Sequence, residues 1–114
     1  LFSQKDLRRD LYIKKNVVFL INDTRYAISS ERISEIVRPL PYTILPNVPE
    51  WFLGIANLRG DIISIIDLQN LLQLEVKEFP KAKLIVLNST NSMSSIAFKV
   101  DKVQEIITFP NQEI

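Results

Sequence analysis

The chain carries fourteen basic and thirteen acidic side chains but no histidine and no cysteine. That inventory removes the commonest general base, the commonest transition-metal ligand and every thiol nucleophile. Carboxylates and hydroxyls are left. In the stretch GDIISIIDL, Asp61 and Asp67 flank an apolar run, the one place where an acid/base pair suggests itself. Six residues apart in a strand they share a face, yet at about 3.3 Å per residue they stand roughly 20 Å apart. That is too far to serve one reaction centre. Asp61 therefore reads as a turn residue and Asp67 as a helix cap. The serines have no imidazole partner, and neither a phosphate-binding glycine loop nor a metal-ligand spacing occurs. No catalysis, metal or cofactor is expected.

The residues that stand out are instead Arg59, Gly60 and Asp61. Gly54 and Gly60 are the only glycines, and a chain this poor in glycine spends them where other residues do not fit. Gly60-Asp61 lies between apolar runs, a signal for a tight hairpin with a charged pair at its tip. The same three residues spell an integrin-binding tripeptide. At the tip of a tight hairpin, with no secretion signal opening the sequence, the turn reading is preferred.

The flanking elements follow from periodicity. Val17 to Ile21 is a β-branched and aromatic run suited to a buried strand. Asn22-Asp23 is a turn pair, and Tyr26 and Ile28 alternate with Arg25, Ala27 and Ser29 as a second strand. Residues 30–38 predict a short helical turn, with Ser30 available as its cap, running into a strand. Pro39, Pro41, Pro46 and Pro49 exclude a regular helix over residues 39–50. Trp51 to Arg59 and Ile62 to Ile66 form the central hairpin. Asp67 caps the one convincing helix, with Leu68, Leu71 and Leu72 on one face and Gln69, Asn70 and Gln73 on the other. Residues 84–87, 96–100 and 103–109 predict further strands, with Asp101-Lys102 interrupting the last two. Seven or eight short strands with one short helix describe an all-β barrel or pair of barrels.

With 114 residues, 46% of them apolar, the chain suits one small domain. Residues 1–15 read as an N-terminal arm or flank and 16–114 as the folded unit. The net charge of +1, with a basic cluster (Lys5, Arg8, Arg9, Lys14, Lys15) tempered by Asp6 and Asp10, argues against a nucleic-acid partner. No apolar run is long enough to span a membrane, so no direct membrane insertion is expected. The lack of cysteine fits a reducing compartment, and a cytoplasmic location is the expectation. The sequence opens at Leu1, which suggests a piece of something longer.

The segment G-x-x-N-L-R-G-x-x-x-x-x-x-D-L, here Gly54, Asn57, Leu58, Arg59, Gly60, Asp67 and Leu68, resembles the signature of the CheW-like domain of bacterial chemotaxis. Around it, Tyr26-Ala27-Ile28 resembles the family's second strand and Arg32 to Ile36 its valine-x-glutamate-valine element. Pro46 to Pro49 resembles its proline pair, and Phe98 to Val103, followed by Glu105-Ile106-Ile107, its aspartate-containing strand end. The resemblance implies two small five-stranded β-barrels sharing a hydrophobic core. It implies a non-catalytic adaptor coupling a chemoreceptor's cytoplasmic tip to a chemotaxis histidine kinase. By position, Ile33, Glu35, Arg59, Val103 and Ile106 match places tied to receptor or kinase binding, whereas Gly54, Asn57, Gly60 and Asp67 match structural ones. Opposite charges at Glu35 and Arg59, expected near neighbouring strands, allow an ion pair that orients both. Ile33, Val103 and Ile106 suit a core role equally well.

Family members continue past this point with another strand pair and a terminal helix, while this sequence stops at Ile114. The second barrel is therefore expected to be incomplete, and an open strand edge invites a homodimer. Two alternatives stand beside the adaptor: a CheW-like regulatory domain of a chemotaxis histidine kinase or receiver-fused coupling protein, and an unrelated β-barrel binding module.

Overall fold

The computed structural model describes residues 13–89 and 94–110. Most of the expected N-terminal arm lies outside the described residues, as do part of the polar turn after Asn88 and the last four residues. Eight strands are seen among the described residues: β1 (Ile13–Ile21), β2 (Thr24–Ser29), β3 (Ile33–Val37), β4 (Phe52–Leu58), β5 (Asp61–Asp67), β6 (Lys83–Leu87), β7 (Ser94–Val100) and β8 (Lys102–Pro110). One helical turn, α1 (Leu68–Leu71), follows β5. The strands form two sheets, one ordered β2-β1-β8 and one ordered β3-β6-β7-β5-β4. The mainly-β reading stands, with the strands divided between two sheets.

Strand β6 explains why the sheets form one body. Its run Leu84-Ile85-Val86 is buried on both faces, as a continuous apolar run demands. Leu84 and Val86 join Ala56, Ile63, Ile65 and Ala97 in a core inside the five-stranded sheet. Ile85 faces the other way and joins Phe19, Ile21, Leu68 and Val100, with Tyr26 and Ile28 of the three-stranded sheet packed around them. The second cluster is the shared core that the family resemblance implies.

Two bulges decide which face several residues take. In β3 the register with β6 shifts between Ile33 and Glu35. Without that extra residue Ile33, Glu35 and Val37 would share a face, since side chains alternate with period two. With it, Ile33 packs on the shared core while Val37 packs on the other cluster. In β1 and β8 the shift pairs Val18 with Glu105 and Phe19 with Val103. It keeps Val103 and Ile106, three apart in sequence, on the same face of the sheet.

Local chemistry sets the remaining joints. Gly54 is buried, and a Cβ there would lie 2.4 Å from the Thr43 carbonyl oxygen and 2.6 Å from the Tyr42 ring. The bare backbone lets the proline-rich loop bond to β4, the Thr43 N–H donating to the Ile55 carbonyl at 2.8 Å and the Ile55 N–H donating back at 2.9 Å. The 3-10 turn over Ser30–Arg32 is capped by Ser29 rather than by Ser30, the Ser29 hydroxyl accepting the Glu31 N–H. Asp67 caps α1 as expected, its Oδ1 accepting the Gln69 N–H at 3.0 Å.

The helix itself departs from the sequence reading. It has a single turn, and Leu71 and Leu72 are exposed while Gln69 is buried. Gln69 is drawn inward by a polar hub at the corner between β7 and β8. Buried Asp101 accepts the Gln69 amide at 2.6 Å and the Asn22 N–H at 2.5 Å. The Gln69 side-chain oxygen in turn accepts the Lys77 N–H at 2.8 Å. One carboxylate thus ties the first hairpin, the helical turn and the following loop to the passage between the sheets. Such a fully paired buried group outweighs the helical periodicity of four residues.

Candidate functional site

The central hairpin closes on Leu58 paired with Asp61, so its loop is the two residues Arg59 and Gly60, one position earlier than the Gly-Asp step suggested. Both have positive φ, 52° and 90°, the pattern of the primed turns that match strand twist. Gly60 adopts this freely, whereas Arg59 does so against its Cβ. Asn57 steadies the turn, its Oδ1 accepting the Gly60 N–H at 3.0 Å.

Arg59 then reaches across the fold. Its Nη2 donates to Glu35 Oε2 on β3. Strands β3 and β4 are the opposite edges of the five-stranded sheet, so this ion pair spans the mouth of a strongly curled sheet. The Glu35 hydrogen bond first, its charge second, and Asp61 after them raise the pKa of a guanidinium that is already charged under all ordinary conditions. Two-thirds of the Arg59 side chain remains exposed, against one-third of Glu35. An exposed pair of this kind adds little stability. What it does is hold a planar, five-donor group in one orientation at the surface.

The other residues singled out from the sequence sort differently. Ile33 and Val103 are half-buried and pack against the shared core. Ile106 pairs with Val17 on the three-stranded sheet and is 66% exposed. Glu35 and Arg59 are brought into contact, and Ile33 and Val103 meet one core cluster. Asp61 and Asp67 occupy opposite ends of β5, the first exposed and the second buried in its capping role.

An apolar strip that sequence reasoning missed lies on the outer face of the five-stranded sheet. Ile62 and Ile96 are about half exposed there. Ile62 pairs with Asn57 on one side and Ser94 on the other, and Ser64 pairs with Ile96. A recess of about 370 Å³ opens beside them, lined by Ser64, Leu87, Ser95 and Ile96 among others. Leu87 also pairs with Ile33, so the strip runs toward the junction of the two sheets. In a run such as Ile62-Ile63-Ser64-Ile65-Ile66, only Ser64 breaks the apolar character, and that gives one faint sign of which face is outermost. Among the described residues no three metal-ligating side chains gather, and no helix is long and apolar enough to cross a membrane.

Comparison with known proteins agrees with this geometry. Residues 15–114 match the CheW-like domain family. The chain is 32% identical over 97 residues to the chemotaxis protein CheW of Helicobacter pylori, an alignment covering 84% of this chain and 58% of that protein. It is 30% identical over 101 residues to the CheW of Bacillus subtilis, covering 89% and 64%. The crystal structure of the scaffolding protein TtCheW from Thermoanaerobacter tengcongensis superposes with a TM-score of 0.77 at 31% identity, covering 88% of this chain and 66% of that one. The chain thus spans about three-fifths of the length of these curated relatives.

Proposed function

Because the chain belongs to the CheW-like domain family, we propose that it is a non-catalytic signalling adaptor. It couples the cytoplasmic tip of a chemoreceptor to a chemotaxis histidine kinase by protein–protein contact in the cytoplasm. The observation that carries this reading is the hairpin tip. A charged, exposed Arg59 is held in unfavourable backbone geometry and oriented by Glu35, which suits recognition better than it serves stability. Beside the tip, Ile62 and Ile96 offer apolar area to a helical partner, and Ile106 offers it from the second sheet. Ile33 and Val103 support this surface from below through the shared core. The relatives are CheW proteins and a scaffold, which favours the adaptor over the kinase regulatory domain and the unrelated module.

The test is capture of a receptor-tip fragment and of a kinase regulatory domain by the purified chain. Wild type should retain both. Arg59→Ala and Glu35→Ala should recover less receptor fragment while keeping their β-sheet circular dichroism. Undiminished recovery by both variants would overturn the role given to the tip. A second copy is a further proposed partner, because among the described residues β8 and β2 each pair with β1 alone. Edge-to-edge pairing would appear as a mass that rises with concentration in light scattering, and a constant monomer mass would refute it.

A further inference from the structure

Asn57 sits on the exposed face of β4, two residues before Arg59. Asparagine is a poor strand residue, and at the surface water alone would satisfy its amide. Its place is explained by the bond from the Gly60 N–H to its Oδ1. That bond bridges the turn. Its donor is the second positive-φ residue and its acceptor stands one residue outside the closing pair of Leu58 and Asp61. Arg59 lies between them at φ 52°. The left-handed region is uphill for a residue with a Cβ, so a turn released at Gly60 lets Arg59 relax out of it. Rotation about that φ swings the whole side chain, and its far end is bonded to Glu35 on a different strand.

We propose that Asn57 is a positioning residue. By holding the Gly60 N–H it locks the turn in the conformation that aims the Arg59 guanidinium at Glu35 and toward a partner. Glu35 fixes the far end of the side chain and Asn57 the near end, while the charge of Asp61 acts from the flank. A group ordered in advance loses less freedom when it binds, which preserves affinity. Only the partner clause rests on the adaptor reading.

The test compares Asn57→Ala, Asn57→Asp, Arg59→Ala and the double variant Asn57→Ala with Arg59→Ala. The buried strand β6 reports through its NMR amide signals that each is folded. In the free protein, Asn57→Ala should change the Arg59 HN–Hα coupling. It should also speed solvent exchange of the Arg59 guanidinium protons by about three- to tenfold, the worth of one ordinary hydrogen bond. Asn57→Asp keeps an acceptor oxygen and should restore the wild-type coupling. Affinity for a receptor-tip hairpin fragment should fall by a similar factor in Asn57→Ala, and the same substitution should cost almost nothing once Arg59 is alanine. Unchanged coupling and exchange in Asn57→Ala would overturn the proposal, as would an equal affinity loss in both backgrounds. If the free-protein effects appear but neither Arg59→Ala nor Asn57→Ala alters affinity, positioning stands and the receptor reading falls.

Discussion

Two of the hairpins among the described residues, β1-β2 and β4-β5, use the same turn for opposite ends. Asn22-Asp23 and Arg59-Gly60 each place two residues at positive φ between antiparallel strands. In each, a side-chain oxygen catches a backbone N–H of the turn. At the first hairpin the acceptor is buried Asp101, distant in sequence, which also holds Gln69. Asn22 further donates its amide to the Glu75 carbonyl at 2.7 Å. At the second hairpin the acceptor is Asn57, three residues away and open to solvent, and the tip carries Arg59 out to Glu35. A polar bond sealed from water costs the fold dearly when broken, because its partners lose all hydrogen bonding. The same bond in water costs the fold less, about the worth of one ordinary hydrogen bond, because water then satisfies both partners. The first turn is therefore part of the framework, and the second presents a charged group.

The largest expected effect follows from breaking the buried side. Asp101→Leu strands the Gln69 amide and the Asn22 N–H, and should lower stability by about 2–5 kcal/mol. Urea denaturation should show the midpoint falling steeply, and a midpoint near wild type would erase the distinction between the hairpins. Gly54→Val comes next. Its Cβ would meet the Thr43 carbonyl oxygen, a backbone atom, so the proline-rich loop must detach from β4 at a cost of about 1–3 kcal/mol. Calorimetry would register this as a lower melting temperature, and hydrogen exchange at the Thr43 and Ile55 amides would localise it.

Gly60→Val sharpens the comparison from the exposed side. No atom lies within 4 Å of the added Cβ, so the loss comes only from φ +90°, about 1–2 kcal/mol for a residue with a Cβ. Thermal melting should show a smaller fall than for Gly54→Val, and the reverse order would mean that space rather than dihedral governs the tip. Glu35→Ala should have the least effect on stability. Its melting curve should overlay wild type while receptor-fragment capture drops, and high salt should mimic it by screening the exposed pair. A large loss of stability in this variant would place the ion pair among the framework bonds.

Much of this architecture is legible without coordinates. Local pattern gives the strands and the central hairpin, Asp67 as a cap, the turn at Asn22-Asp23, and Gly60 at positive φ, because each depends on a few adjacent residues. The match of Glu35 with Arg59 is legible as opposite charges, although 24 positions separate them. What escapes is whatever depends on which surface covers which. Gln69 reads as a solvent-facing helix residue and is buried by Asp101 from 32 positions away. Leu71 and Leu72 read as a helical apolar face and lie exposed.

By itself, then, the sequence determined the order of strands and turns and the places where only glycine serves. These are set by dihedral preferences and period-two alternation, which act over a handful of residues. The tertiary structure alone decided the faces. A single bulge in β3 sends Ile33 into the shared core and Glu35 to the opposite side, and Ile62 and Ile96 lie half exposed on the outer face of the five-stranded sheet. Parity along a strand is a local rule, but one inserted residue reverses it, and burial is the property of two sheets meeting rather than of either chain segment.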